Sequence, residues 1–486
     1  MNKLSLILFN THILSSDLLR SIDEMDIKNL KSALKADESY DIIYRTIRIC
    51  DTDLCIFFVD GFIKDSVTEK IIEFFYSIKD KSLLQDAHTF SKNCVPYMEV
   101  DLLESTEQIC TAILSGQMAI LCDGFDRAVM IDVRTYPQRD TATPEKDKVL
   151  RGSNDGFVET LVLNTALIRR RIRDTNLRMK SFTVGKESKT DIVLCYMDNK
   201  ADKNLLSTLS KKIESIDVNA LTMNIQSIAE AIYRNKWYNP FPKIKYTERP
   251  DTAASAVLDG NIVIVVDNAP SVLIIPTSIF DIMEEADDYY FPPLTGTYIR
   301  LSRWLVTALS MIITPLWLLA LQNPDYVPDV LKFILLDENS NIPVFWQLMI
   351  LEIAIDGLRL AAINTPNMLS TPLSIIGGIV LSDFSVQSGW FDAEAILYMA
   401  IVAITNYSQP SYELGYAIKF MRIIILIFTA LFNLWGFIAG IIITFILIAT
   451  NRTISGKSYL YPLIPFNAQK FKRTILRTMH NSMRNS

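Results

Sequence analysis

Apolar and polar positions follow two regimes along the chain. From Met1 to Pro293 they alternate in short runs bounded by Gly, Pro, Asn and Asp; from Tyr298 to Thr450 long apolar runs dominate. In the first regime Cys55-Ile-Phe-Phe-Val59, stopped by Asp60-Gly61, predicts a strand, and the run from Val67 to Ile78 predicts a helix behind it. Ser181-Phe-Thr-Val184 and Asp191-Ile-Val-Leu-Cys195 predict further strands. Lys203 to Ile216 and Ser278 to Ala286 read as helices, and Leu4 to Leu34 as weakly helical. Alternating strands and helices indicate an α/β layer arrangement.

One pattern occurs twice. Ala112-Ile-Leu-Ser-Gly116, then Ile120, Asp123 and Val129-Met-Ile131, is matched 144 positions on (Gly116 to Gly260) by Ala256-Val-Leu-Asp-Gly260, Ile264, Asp267 and Leu273-Ile-Ile275. Each copy reads as a helix end, a glycine stop, a strand, an acidic turn and a returning strand. Two related α/β subdomains explain this most simply; chance similarity of two hairpins is the alternative.

The second regime predicts a membrane domain. Leu301 to Leu321 is about 31 Å long as a helix, enough to span, with Arg300 and Arg303 at its start and an acidic loop after it. Val344 to Ile363 returns, carrying Glu352, Asp356 and Arg359 within about 60° of one another on one face. These form either a structural ion network, Arg359 partly neutralising the carboxylates within its own helix, or an ion-relay site. Leu373 to Gly389 makes a short third segment after the Thr365-Pro366 and Thr371-Pro372 breaks. One of its faces carries Ser374, Gly378, Ser382, Ser385 and Gly389, a small-residue stripe suited to helix packing. The other carries Ile376, Val380, Asp383 and Gln387. If the stripe packs, Asp383 faces water, as in a cation-selecting pore beneath an Ile/Val constriction; the competing assignment puts the stripe on the pore. Ala393 to Ala403 is a fourth segment, Lys419 and Arg422 mark the inside end of a fifth, and Asn433 to Gly436 offers a turn before a sixth. Five spans with one re-entrant piece is the other count.

The domains expected are an N-terminal helical segment (1–36), cytoplasmic α/β subdomains (37–145 and 146–293), an α-helical polytopic transmembrane domain of five to six segments (294–467) and a basic cytoplasmic tail (468–486). Leu4 to Phe9 is too short for a signal-peptide core, and the tail after Asn451 is basic without acids, so both ends are expected in the cytoplasm.

Composition adds exclusions. A net charge of −6 implies no nucleic-acid partner. The run Arg169-Arg170-Arg171, with Arg173 and Arg178, reads as a solvated helix face or a site for an acidic neighbouring subunit rather than a lipid-headgroup patch. The acidic stretch Asp281, Glu284, Glu285, Asp287, Asp288 reads equally as a cation-attracting vestibule or a solvated hinge. Six cysteines without a CxxC pair suit buried thiols in a reducing compartment. Three scattered histidines (His12, His88, His480) make a metal site improbable, and no nucleotide, nucleophile-elbow, zinc or calcium motif occurs. No enzyme activity and no cofactor are expected.

Several stretches are more specific. Arg151-Gly-Ser-Asn-Asp-Gly-Phe-Val-Glu-Thr160, Asn164-Thr-Ala-Leu-Ile-Arg169, Glu248-Arg-Pro-Asp251, Pro270-Ser271, Pro410-Ser-Tyr-Glu413 and Pro462-Leu-Ile-Pro-Phe-Asn467 resemble the A subunits of spore germinant receptors, the GerA family. Arg134-Thr-Tyr-Pro-Gln-Arg139 is more similar to the stage V sporulation AF branch. The resemblance implies a protein of the endospore inner membrane that forms ring oligomers, pentamers, conducting monovalent cations in germination. It also implies partners among the membrane proteins of the germination apparatus, B and C subunits for receptors, and contact with membrane lipid.

Overall fold

The computed structural model describes residues 27–122, 124–136, 153–233, 238–336, 341–364, 377–378 and 383–477. It forms two compact units. One takes Met1–Lys148, Ser153–Arg234 and Tyr246–Ile275; the other takes Val149–Gly152, Asn235–Lys245 and Pro276–Ser486. Asp123 and residues 137–152 lie outside the described residues.

The first unit opens with helix α1 (Ile27–Leu34), strands β1 (Ile42–Ile49) and β2 (Thr52–Val59), helices α2 (Asp65–Tyr76) and α3 (Ala87–Cys94) and strand β3 (Val100–Leu103). Helix α4 (Thr106–Leu114) and strands β4 (Met118–Cys122) and β5 (Ala128–Ile131) complete a sheet of order β1-β2-β4-β5-β3, antiparallel at each step. The apolar run in β2 is continuous because both faces are covered. Cys55, Phe57 and Val59 pack with Ile109 and Ile113 of α4, while Leu54 and Ile56 pack with Ile71 and Phe75 of α2 and Phe90 of α3. Strand β1 escapes the sequence reading for the opposite reason. It is an edge strand whose middle, Tyr44-Arg-Thr46, is unburied, so no clean alternation reaches the sequence.

The second half repeats the plan. Helix α5 (Leu161–Arg171) leads to β6 (Leu177–Val184), β7 (Thr190–Met197), α6 (Lys203–Glu214), α7 (Asn224–Ile232) and β8 (Lys245–Thr247). Helix α8 (Pro250–Leu258), β9 (Ile262–Val266) and β10 (Val272–Ile275) follow, and the sheet order is β6-β7-β9-β10-β8. The match reaches single hydrogen bonds. Gly116 donates to the Ile113 carbonyl and Gln117 to that of Ala112; Gly260 donates to Val257 and Asn261 to Ala256. Both glycines are left-handed, at φ +99° and +95°, which is what stops α4 and α8 and sends the chain into β4 and β9.

A buried ion pair ties the two sheets together. Arg169 of α5, fully buried, donates from Nε to Asp41 at 2.6 Å and from Nη2 to Asp41 at 3.1 Å, to Ser39 at 3.3 Å and to the Leu177 carbonyl at 3.3 Å. The arginine run is therefore neither a solvated face nor a patch. Arg170 stacks 4.6 Å from the Tyr136 ring, Arg171 bonds Ser153 and Asp155, and Arg178 pairs with Glu38. Asn164 closes the preceding loop, accepting from Val158 N–H and donating to the Val158 carbonyl.

The second unit contains α9 (Ile279–Met283), α10 (Asp287–Tyr290), α11 (Pro293–Gln322), α12 (Val344–Asn364), α13 (Ser385–Gln387), α14 (Ala393–Tyr407), α15 (Tyr412–Ala449) and α16 (Ala468–Ile475). Helices α11 and α15 are each long and apolar enough to cross a membrane. The chain reverses inside α15 at Asn433, φ +52°, at the turn the sequence predicts. The two limbs then touch: a Cβ on Gly436 would sit 1.8 Å from the Phe428 carbonyl oxygen, and one on Gly440 2.8 Å from Ile425 Cα. Asn323, ending α11, holds the reversal through a reciprocal amide pair with Asn433 at 2.5 and 3.1 Å. Of the third predicted segment, Leu373 to Gly389, residues 373–376 and 379–382 lie outside the described residues.

Two expectations follow. Arg169→Leu in the full detergent-solubilised chain should lower stability by about 3–5 kcal/mol, because Asp41 is left buried and unpaired, and Arg169→Leu with Asp41→Leu should recover much of it; denaturant unfolding followed by circular dichroism measures both. Burial pushes the Cys110 thiol up to about 11 and raises those of Cys55, Cys94 and Cys195, whereas Cys50 is half-buried. Iodoacetamide at pH 8 should therefore label the native chain at Cys50 at most and all six cysteines after unfolding, read by peptide mass mapping.

Candidate functional site

The charged residues of α12 meet partners on another helix. Glu352 and Asp356 are one turn apart, as are Lys419 and Arg422 on α15, so each pair shares a face. Arg422 grips the Glu352 carboxylate at 2.6 and 3.0 Å in a two-pronged pair, both side chains buried. Its remaining nitrogen donates to the Ser310 carbonyl of α11 at 2.9 Å. Lys419 lies 3.4 Å from Glu352, donates to the Glu352 carbonyl at 3.0 Å and pairs with Asp356. Two acids and two bases thus balance where α11, α12 and α15 meet. The counter-charge comes from α15, not from Arg359, and Lys419 and Arg422 are buried partners rather than markers of a segment end.

Arg359 has a different setting. It is 7 % exposed, and its guanidinium lies 4.9, 5.1 and 5.4 Å from the ring centres of Tyr407, Tyr412 and Tyr416. Tyr412 and Tyr416 are one helical turn apart on α15; Tyr407 ends α14. The tyrosines carry no sequence signal for this role, since stacking across helices leaves no spacing to read.

The expected pore face is described only in part. Ile376 and Val380 lie outside the described residues; Asp383 and Gln387 are exposed, in the turn around α13. Of the small-residue stripe, Ser374 and Ser382 also lie outside, and Gly378 is exposed. Ser385 and Gly389 do local work: the Ser385 carbonyl accepts from Trp390 N–H, and Gly389, at φ +67°, ends the helix, its own carbonyl accepting from Asn341 at 3.0 Å.

The acidic stretch before α11 is neither hinge nor vestibule. Asp288, fully buried, accepts from Arg300 at 3.2 Å and from Arg303 at 2.9 and 3.0 Å. Glu284 pairs with Arg300 at 2.8 Å and Glu285 with Arg303 at 2.5 Å. Asp281 and Ser278 form a reciprocal capping box on α9, and burial raises the Asp281 carboxyl above its usual range against those hydrogen bonds. Among the described residues no His/Cys/Asp/Glu cluster could hold a metal ion.

The family described as Bacillus/Clostridium GerA spore germination protein matches residues 28–486. The chain belongs to the GerA family. Stage V sporulation protein AF of Bacillus subtilis is 37% identical over 449 residues, 92% of this chain and 91% of that protein. Spore germination protein KA of Bacillus subtilis is 27% identical over 461 residues, 93% and 84% of the two chains. Spore germination protein GerLA of Bacillus cereus is 26% identical over 418 residues, covering 85% and 84%. Among solved structures, the N-terminal domain of the A subunit of the Bacillus megaterium spore germinant receptor GerK3 is 22% identical with a TM-score of 0.38, covering 51% of this chain and 92% of that one. This GerA-family chain is thus a membrane-associated spore germination protein.

The two carboxylates of the cluster should respond unequally. Glu352 is 5% exposed at its side chain and Asp356 30%. Glu352→Ala strands Arg422 in the bundle, and a loss of about 3–5 kcal/mol is expected; Asp356→Ala should lose about 1 kcal/mol or less. Thermal unfolding in detergent separates the two.

Proposed function

We propose that the chain is the channel-forming subunit of an oligomeric, pentameric cation channel in the endospore inner membrane, gated through cytoplasmic N-terminal domains and contributing to ion release in germination. The observation that carries this reading is the exposure of Asp383 within the half that holds the two membrane-length helices. Facing lipid, a carboxylate near mid-bilayer costs roughly 2.5–3.5 kcal/mol on insertion scales, so a hydrated axis shared between copies is the cheaper surrounding. Glu352 and Asp356, by contrast, are balanced inside one chain and act as a lock between helices rather than as part of the ion path. In this reading the sequence pattern assigns the apolar constriction to Ile376 and Val380, and Gln387 to the polar face with Asp383.

That same internal balance favours the second reading, a non-conducting membrane scaffold or an A subunit assembling with B and C partners. Purified full-length chain in potassium-loaded vesicles distinguishes them. The channel reading expects potassium efflux that Asp383→Ala slows about tenfold or more, equivalent to roughly 1.4 kcal/mol of lost ion stabilisation. Assembled particles that pass no potassium, or efflux equal in the variant, leave the scaffold.

A further inference from the structure

Arg359 is a buried cation without a countercharge among the described residues. The acids nearest to it along α12 are taken: Glu352 is gripped by Arg422 and Asp356 by Lys419. The stretch that follows cannot supply one, since residues 365–382 contain no Asp or Glu. What surrounds the guanidinium is aromatic: Tyr407, Tyr412 and Tyr416, each within 5.4 Å of ring centre to Cζ. Ring faces stabilise the charge but do not satisfy five N–H donors as oxygen acceptors would. Tyr407 and Tyr412 are more than half exposed, so the box opens to the surroundings.

Its position narrows the ligand. The box lies where α14 ends at Tyr407 and α15 begins at Tyr412, the end of two apolar helices. Helix ends of a membrane domain sit at headgroup level, where tyrosines concentrate. Guanidinium donors in a fixed fork match the oxygens of a phosphate, and phenol hydroxyls add donors beside them.

We propose that Arg359 with Tyr407, Tyr412 and Tyr416 forms a phosphate-binding site, filled by the headgroup of an anionic phospholipid or by free phosphate. The Pro410-Ser-Tyr-Glu413 motif then has a defined role, because its Tyr412 is a wall of that site. The site is independent of whether the chain conducts ions.

The full-length chain in a neutral detergent tests this by thermal unfolding and by native mass spectrometry with phosphatidylglycerol, phosphatidylcholine or inorganic phosphate added. Phosphatidylglycerol should raise the unfolding temperature and remain bound in the spectrometer, more than phosphatidylcholine, whose ammonium offsets its phosphate. Arg359→Gln should lose that response, and Tyr412→Phe, which keeps the ring and removes the hydroxyl, should weaken it while unfolding cooperatively like the wild type. A response to inorganic phosphate alone, lost in Arg359→Gln, assigns the site to the free ion. Equal responses in wild type and Arg359→Gln, or no response to either phosphate source, overturn the proposal. A failure of potassium efflux in vesicles would leave this result untouched.

Discussion

A carboxylate in a helical bundle must meet a base, and the Glu352–Arg422 pair sets where three helices can lie. Arg422 reaches Glu352 on one side and the Ser310 carbonyl on the other, so α15 is fixed against α12 and α11 together. Desolvating two ions costs several kcal/mol each before their attraction returns any, and only close two-pronged geometry makes the arrangement tolerable. Apolar packing around Leu348, Leu351, Trp317 and Leu426 adds area but little direction. The ion pair supplies the register.

The N-terminal unit uses the same device with a different purpose. Arg169 lies on α5, which opens the second copy, and Asp41 lies immediately before β1 of the first, so the buried pair joins one copy to the other. The repeat fixes the plan of each half; the pair fixes one half against the other. Both arginines belong to elements whose sequence reads as ordinary polar or apolar helix, which shows how little a charge's own neighbours reveal of what it does.

Legibility in the sequence followed the range of the interaction. The duplicated glycine stops could be read because a helix end is written within five residues, and the reversal at Asn433 because a single apolar run was too long. The membrane-length helices announced themselves by composition. The partners of Glu352 and Asp356 did not, since Lys419 and Arg422 are more than sixty positions away and look like end markers. Arg359 shares a face with the acids, but its neighbours are rings on facing helices, which no spacing within α12 encodes. Likewise Arg300 and Arg303 read as free positive charge at a membrane boundary, yet Arg300 pairs with Glu284 and Asp288, and Arg303 with Glu285 and Asp288. The basic bias that would orient the chain therefore rests on the tail beyond Asn451.

The stretch from Arg473 to Arg477 comes back to the start of α11. Arg300 donates to the Arg473 and Thr474 carbonyls, and Arg477 bonds Thr297 and the Tyr289 carbonyl. Entry and exit of the helical half are consequently one joint, buckled by an arginine from each side. Any displacement that lifts the foot of the first long helix must carry the stretch from Arg473 to Arg477 with it or unfasten that buckle, so these residues behave as a strap on the first helix.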